Sequence, residues 1–414
     1  MIVLRIAKST LQNVCKIFRK GRKMSIFALV MKTLYLFNPE NDMALASASP
    51  YYMVPSNIKK MSADLSALPA WYALTEADVL LGDERQKEWM ERECRFSLPV
   101  GWSVGLTPYY IKVHPWGWNP ALLRCLKEAG LVQEAMLSDG QMERVRQLSS
   151  RQTAVDLLPR LRMEHTLGES FAFTSFEKLL AYVEKDEELL LKSPWSGSGK
   201  GIQKVKGGLE APIYGWAKRV ISTQGSIVVE PFYQKVVDFA MEFYSDGKGV
   251  AFVGYSLFEA DCRGIYKENV LASDQVIEKR LASYVPMEVL SEIKKRCVDE
   301  LGALLSDAYV GYLGVDMMIC QDDEGYKVHP CVEVNLRMNM GVVSRLFYDN
   351  YVCEGAEGRY VIEYFPKNGE ALRFHETMQK EYPLETENGR IKRGYLSLTP
   401  VFEDTSYQIF IKIK

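Results

Sequence analysis

The sequence is poor in the residues from which compact metal and nucleophile sites are commonly built. Only four histidines occur in 414 residues, and none is spaced with another as a metal pair would be. The eight cysteines, Cys15, Cys94, Cys125, Cys262, Cys297, Cys320, Cys331 and Cys353, lie far apart with no C-x-x-C pair, so neither a zinc site nor a disulfide framework is indicated. A reducing, cytoplasmic setting is expected. Charge of neither sign dominates: 51 Lys and Arg against 53 Asp and Glu leave a formal net charge of -2. That gives no general attraction to nucleic acid or to an anionic membrane, so the expected partners are small molecules. Long hydrophobic runs are also missing. The stretch "MSIFALVM" is cut by Lys32, far short of the roughly 20 residues a spanning helix needs. No Ser/His/Asp or Cys/His arrangement, internal repeat or low-complexity linker is present.

What remains is an ordinary globular composition, 47% hydrophobic and 25% charged, on a chain long enough for two or three domains. Residues 1–30 stand apart. Arg5, Lys8, Lys16, Arg19, Lys20, Arg22 and Lys23 precede the first acidic residue, Glu40. This basic extension reads either as an amphipathic targeting or membrane-surface segment or as an arm upstream of a natural start near Met31. From Lys32, "KTLYLFNP" and "ADVLLGDE" read as buried strands, and "NPALLRCLKEAG" carries a helix signature with Asn119 as N-cap, Pro120 in the first turn and Gly130 past the end. Strands alternating with helices predict an α/β domain. Helical spacing follows in "LSSRQTAVDLLPRL" and "SFEKLLAYVEK", with a short strand at "AFTS" between them. The segment around "DGKG" predicts an antiparallel hairpin, residues 287–308 a helix, and "GYLGVDMMICQDDEGYKVHPCVEVNLR" a second hairpin.

Two stretches point to chemistry. "LLLKSPWSGSGKGI" is a strand running into a glycine-rich loop, whose backbone N–H groups can turn toward phosphate oxygens. It is not a Walker loop, because Pro194 stands at the first glycine position and Gly201 at that of the metal-binding hydroxyl, and its glycine spacing does not fit a dinucleotide fingerprint. Lys192 lies inside the apolar strand, where an unpaired ammonium would cost several kcal/mol. An anion is therefore expected beside it, either a bound phosphate or an internal carboxylate.

The second stretch is the late hairpin. A tight turn at Glu324–Gly325 sets Asp316 directly opposite Glu333, with Asn335 and Arg337 on the same face by period two. Two opposed carboxylates are destabilising unless neutralised. Oxygen-only ligands of this kind suit magnesium, which shares its shell with phosphates. A solvated outer face, or Arg337 alone offsetting the acids, is the alternative. His329 and Cys331 fall on the metal-side face but lack a clear orienter, which favours packing.

Together these features resemble the ATP-grasp superfamily over roughly Leu148 to Leu346, on a strand lysine (Lys192), a lid ("SGSGKG"), a hinge ("IVVEPF"), Asp238 and "EVNLR". The resemblance implies a mixed α/β and α+β chain, an ATP-grasp fold preceded by an α/β domain. Its segments would be residues 31–147, 148–225 with the lid, 226–350 with the metal site, and a C-terminal segment, 351–414, packed on the body as a terminal hairpin. It also implies ATP and Mg2+, with Mn2+ as the alternative ion. Lys192 and the loop Ser196, Gly197, Ser198, Gly199 and Lys200 would cover the phosphates. The backbone around Glu230 to Phe232 would read the adenine edge, and Asp238 would bond the ribose. Asp316, Glu333 and Asn335 would hold the metal, and Arg337, with Lys192, would serve the phosphoryl transfer. Arg151 falls where relatives carry a first phosphate-binding lysine, a departure that keeps the charge and changes the geometry.

The implied activity is an ATP-dependent ligase that activates a carboxylate as an acyl phosphate for capture by an amine or thiol. A small-molecule kinase and a nucleotide-binding protein without turnover are the alternatives. Substrate contacts are expected from Arg263 and Lys267 and from the turn "FNPENDMALA", where Asn38, Glu40, Asn41 and Asp42 lie at a strand end. Asp42 also reads as an N-cap.

Overall fold

The computed structural model describes residues 32–184, 187–196, 201–260 and 266–414. The basic extension, the lid residues Gly197, Ser198, Gly199 and Lys200, and Arg263 lie outside the described residues.

The chain opens with β1 (Lys32–Leu36), β2 (Asp78–Leu80), β3 (Gly101–Ser103) and β4 (Tyr110–Pro115), a parallel sheet in the order β3-β2-β1-β4. Buried Leu34, Leu36 and Val113 explain why these short apolar runs hold strands. The helix Pro120–Glu128 starts as its sequence dictates, with the Asn119 side chain accepting from Leu122 N at 2.9 Å, and Gly130 follows it with φ +82°. Because β2 and β4 lie on opposite sides of β1, the loops after β1 and β4 diverge at their carboxyl ends. This topological switch is where open α/β sheets make a crevice.

A second sheet is antiparallel: β5 (Phe171–Phe173), β6 (Glu188–Lys192), β7 (Ile202–Lys206) and β8 (Ile227–Pro231), in the order β5-β8-β6-β7. The glycine-rich segment joins β6 to β7. Leu189, Leu191, Ile227 and Val229 bury one face against the helices Phe176–Val183 and Ala211–Gln224. Period two sends Leu190, Lys192, Val228 and Glu230 to the other face.

The third sheet comprises β9 (Lys235–Asp246), β10 (Val250–Ala260), β11 (Tyr266–Leu271), β12 (Val310–Asp322), β13 (Gly325–Asn335), β14 (Gly358–Tyr364), β15 (Glu385–Glu387), β16 (Arg390–Ser397) and β17 (Tyr407–Ile413). Their order is β13-β12-β9-β10-β11-β14-β17-β16-β15, every neighbouring pair antiparallel. Phe239, Met241, Phe243, Leu313, Val315, Met317 and Val334 pack with Ile293, Cys297 and Leu301 of the helix Met287–Leu305. The alternate residues form a polar face.

Four expectations change in detail. The C-terminal strands do form a hairpin, but β17 also pairs with β14, so the tail extends the large sheet instead of lying on the body. The helix expected from "LSSRQTAVDLLPRL" starts only at Gln152. A preceding helix, Asp139–Leu148, ends in the link that carries Arg151. The second hairpin turns at Asp323–Glu324, with Asp322 opposite Gly325, one residue earlier than the sequence suggests. Asp316 nevertheless faces Glu333, because two extra residues of β13 are taken up between His329 and Glu333. Pro330, which has no N–H to give a ladder, sits in that irregularity. Asp42 is not an N-cap: the helix Asn41–Ser47 has Glu40 in that position, and Asp42 lies in its first turn.

Candidate active site

A cleft opens between the parallel sheet, the base of the glycine-rich loop and β13. It is lined by Asn41, Asp42, Trp195, Ser196, Glu333, Asn335 and Arg337.

On the loop side, Lys192 is 3% exposed and its Nζ donates to Glu230 Oε2 at 2.5 Å, with Ser170 donating to the other carboxylate oxygen at 3.3 Å. The internal carboxylate is thus the anion that the buried lysine demands, and Glu230 contributes a side chain where only its backbone was expected to matter. Phe232 projects from the strand end, 44% exposed, under the ammonium of Lys204, and its N–H donates to Glu188 O. Trp195 closes the base of the loop. Its indole donates to Arg146 O at 2.9 Å, and the Arg146 guanidinium lies 4.1 Å over its ring.

On the acid side, register and period two put Asp238 and Glu242 of β9, Asp316 of β12, and His329, Glu333 and Asn335 of β13 on one face. Asn335 Nδ2 donates to Asp316 Oδ2 at 3.0 Å. Burial, and then the charge of Glu333, push the Asp316 carboxyl up to about 7. Glu242 is 1% exposed and is pushed up to about 8 by burial, although Asn339 Nδ2 donates to its Oε2 at 2.8 Å. Room for that carboxylate comes from two glycines: a Cβ on Gly314 would stand 2.5 Å from Glu242 Oε2, and one on Gly341 only 2.1 Å from Oε1. Asp238 is raised by burial, an effect opposed by Lys235, whose Nζ donates to it at 2.5 Å.

Arg151 joins the two sides. It is 4% exposed; its Nη1 donates to Ser193 O and Ser196 Oγ at 2.6 Å each, and its Nη2 to Glu333 Oε2 at 3.0 Å. The arginine that departs from the expected lysine is therefore the residue that ties the loop base to the acids. Arg337 is equally fixed. Its Nε and Nη2 donate to the two carboxylate oxygens of Asp42 at 2.8 Å each, Nη2 also to Asn335 Oδ1 at 2.9 Å, and Nη1 to Met338 O at 3.1 Å. Burial works against its charge, but Asp42 more than offsets that and holds the guanidinium firmly protonated.

Other expected positions play structural parts or lie on the surface. Lys267 is exposed on β11. Asn38 and Asn41 hold the loop after β4 through Gly117 and Asn119. His329 is fully buried, with neither ring nitrogen hydrogen-bonded, and burial lowers it to about 4; Cys331 packs in the core. Glu242 went unnoticed in the sequence although it stands four residues after Asp238, on the same strand face.

The donor set fits a hard divalent cation. Among the described residues no three His, Cys, Asp or Glu side chains gather as a cage. What is present is two facing carboxylates and an amide, with Asp316 raised by burial and then by the charge of Glu333. Asp316 Oδ1 and Glu333 Oε1 accept no hydrogen bond from the described residues, leaving one oxygen of each acid available to a cation.

No protein-family model and no curated protein matches the sequence. Solved structures do resemble it. Biotin carboxylase from Campylobacter jejuni, crystallised as a β,γ-ATP complex, aligns with a TM-score of 0.51 at 12% identity, covering 94% of this chain and 88% of that one. N5-carboxyaminoimidazole synthetase from Staphylococcus aureus, complexed with ADP, aligns at 0.47 and 10% identity, covering 92% and 93%. The likeness to biotin carboxylase shows the fold: this chain has the ATP-grasp architecture that its motifs resemble. No helix among the described residues is long and apolar enough to cross a membrane.

Proposed function

We propose that this protein is an ATP-dependent ligase that activates a small-molecule carboxylate for capture by an amine. The observation that carries the reading is the reach of Arg151, one guanidinium bonding both the glycine-rich loop base and a carboxylate of the acid face. The two halves of a nucleotide site are thereby within one side chain of each other. The ATP complex of a fold neighbour supports the choice of nucleotide.

In this reading Asp316, Glu333 and Asn335 would hold Mg2+, which when bound neutralises charge on the phosphates. Arg151 and Lys192 supply further positive charge at the base of the loop. Lys192 must exchange part of its bond to Glu230 for a phosphate oxygen. The backbone near Glu230 and Phe232 would meet the base, and Asp238 the ribose hydroxyls. Arg337 faces the acceptor side of the cleft and stabilises charge as the acceptor carboxylate takes the phosphoryl group. Such transfer needs positioning and charge neutralisation more than a protein nucleophile. The scattered free cysteines support a reducing, cytoplasmic setting.

The test is an ADP-release screen with Mg2+ and pooled carboxylates and amines, run with and without hydroxylamine. Carboxylate-dependent ADP release with hydroxamate formation is expected, and its loss in the Asp316→Asn, Glu333→Gln double variant. A stable phosphorylated product without hydroxamate would identify a kinase instead, and unchanged turnover in the double variant would remove the metal assignment.

A further inference from the structure

The switch-point crevice of the parallel sheet is filled by an ion pair that spans the chain. Asp42 comes from the first turn of the helix Asn41–Ser47, and Arg337 lies 295 positions later, just past β13. The pair is bidentate, the geometry in which a carboxylate fixes the plane of a guanidinium and not only its charge. A guanidinium has five N–H donors. Four are engaged, two by Asp42 and one each by Asn335 and Met338. One N–H on Nη1 has no partner among the described residues, on a side chain that lines the cleft beside Glu333 and Ser196.

The support behind Asp42 is itself fixed. Arg146 Nε donates to Leu45 O of the same helix at 2.9 Å, and the same Arg146 stacks on Trp195 at the loop base. Asn38 and Asn41 bind the loop Trp116–Asn119, whose Trp116 O accepts from Met338 N at 2.9 Å, next to Arg337. Side chain and backbone of the parallel-sheet unit therefore grip both flanks of the same arginine. The chain of bonds continues from Arg337 to Asn335 Oδ1 and from Asn335 Nδ2 to Asp316, so the orientation of the amide is set from Asp42 as well.

We propose that Asp42 is a positioning residue for phosphoryl transfer: it holds the Arg337 guanidinium so that its remaining N–H points at the terminal phosphate oxygen. The inference rests on the nucleotide reading above. It makes the parallel-sheet unit part of the phosphate site, in addition to any role in choosing the acceptor.

Calorimetry on the full chain with Mg2+ tests it without knowledge of the acceptor, comparing a non-hydrolysable triphosphate analogue with ADP. The wild type is expected to prefer the triphosphate. Asp42→Asn should cut that preference about tenfold, a fraction of what removal of a preorganised donor costs, while ADP affinity stays within twofold. Asp42→Glu, which keeps the carboxylate, should recover most of the preference and serves if the asparagine variant folds poorly. Arg337→Met should cut it at least as far, and adding Asp42→Asn to it should cost nothing more. A preference in Asp42→Asn within twofold of wild type, or full additivity with Arg337→Met, overturns the inference alone. Failure of the wild type to bind either nucleotide overturns the nucleotide reading and this inference with it.

Discussion

The two faces that meet at the cleft solve the burial of charge in opposite ways. On the small antiparallel sheet, Lys192 and Glu230 are each only 4% exposed at the side chain and neutralise one another completely. On the large sheet, Asp316, Glu333 and Glu242 share one region, and burial first, then the neighbouring carboxylate charge, pushes Asp316 and Glu242 toward neutrality. One face is closed on itself, each charge met by a partner already in place. The other is open in the sense of the proposed function, in which a cation would offset its crowded carboxylates. The first face serves stability, and the second is proposed to serve binding.

Four experiments can break or sharpen that contrast. The largest effect is expected on the closed face. Lys192→Met leaves Glu230 buried without its partner and should destabilise the protein by about 3–5 kcal/mol in urea titrations; adding Glu230→Gln should recover most of the loss. If the single variant is as stable as wild type, the pair is not closed in the sense argued. The Asp316→Asn variant should behave oppositely, melting no lower than wild type in Mg2+-free buffer at pH 8 while losing Mg2+-dependent ADP release by about 10²-fold or more.

The third experiment reads the open face through pH. An unfolded chain releases the Asp316 proton near the ordinary 3.8, whereas the folded chain retains it until about 7. In that window the folded state holds the extra proton, so this group makes stability fall as pH rises, and the loss is complete above about 7. The melting temperature of Asp316→Asn should fall less than that of wild type between pH 4 and 7 in Mg2+-free buffer. Mg2+ should raise the wild-type value more at pH 8 than at pH 5. The smallest effect is expected from Lys235→Met, which removes a solvent-facing partner of Asp238 and should change stability by less than about 1 kcal/mol.

Much of this contrast was legible in the sequence because it follows from strand periodicity. Lys192 in an apolar strand announces a buried anion, and alternating "GVDMM" and "VEVN" puts two acids on one face with apolar residues behind them. Legibility failed where the answer depends on distant chain. Nothing local says that Glu230 is the anion that meets Lys192, since their pairing is set by how β8 lies beside β6. Nothing near "FNPENDMALA" reveals that Asp42 meets Arg337. The facing of Asp316 and Glu333 was correct although the turn was misread by a residue, because the irregularity around Pro330 makes up the difference. The partners of Arg151 could not be read locally, because they come from two distant parts of the chain, the loop base at Ser193 and Ser196 and the acid Glu333.

The final strand carries a consequence of its own. β17 lies between β14 and β16, so β16 and β15 cannot join the rest of the large sheet until residues as late as Ile413 are available. Asp64, far upstream, accepts from the N–H groups of Ser406 and Tyr407, and the Trp71 indole donates to Leu398 O. A ribosome-bound chain can thus build the strands of the candidate site early but cannot join β16 to the rest of the large sheet until residues 407–413 have emerged. Removing β17 would expose two strand edges to other unfinished copies, and aggregation during biosynthesis would be its first symptom.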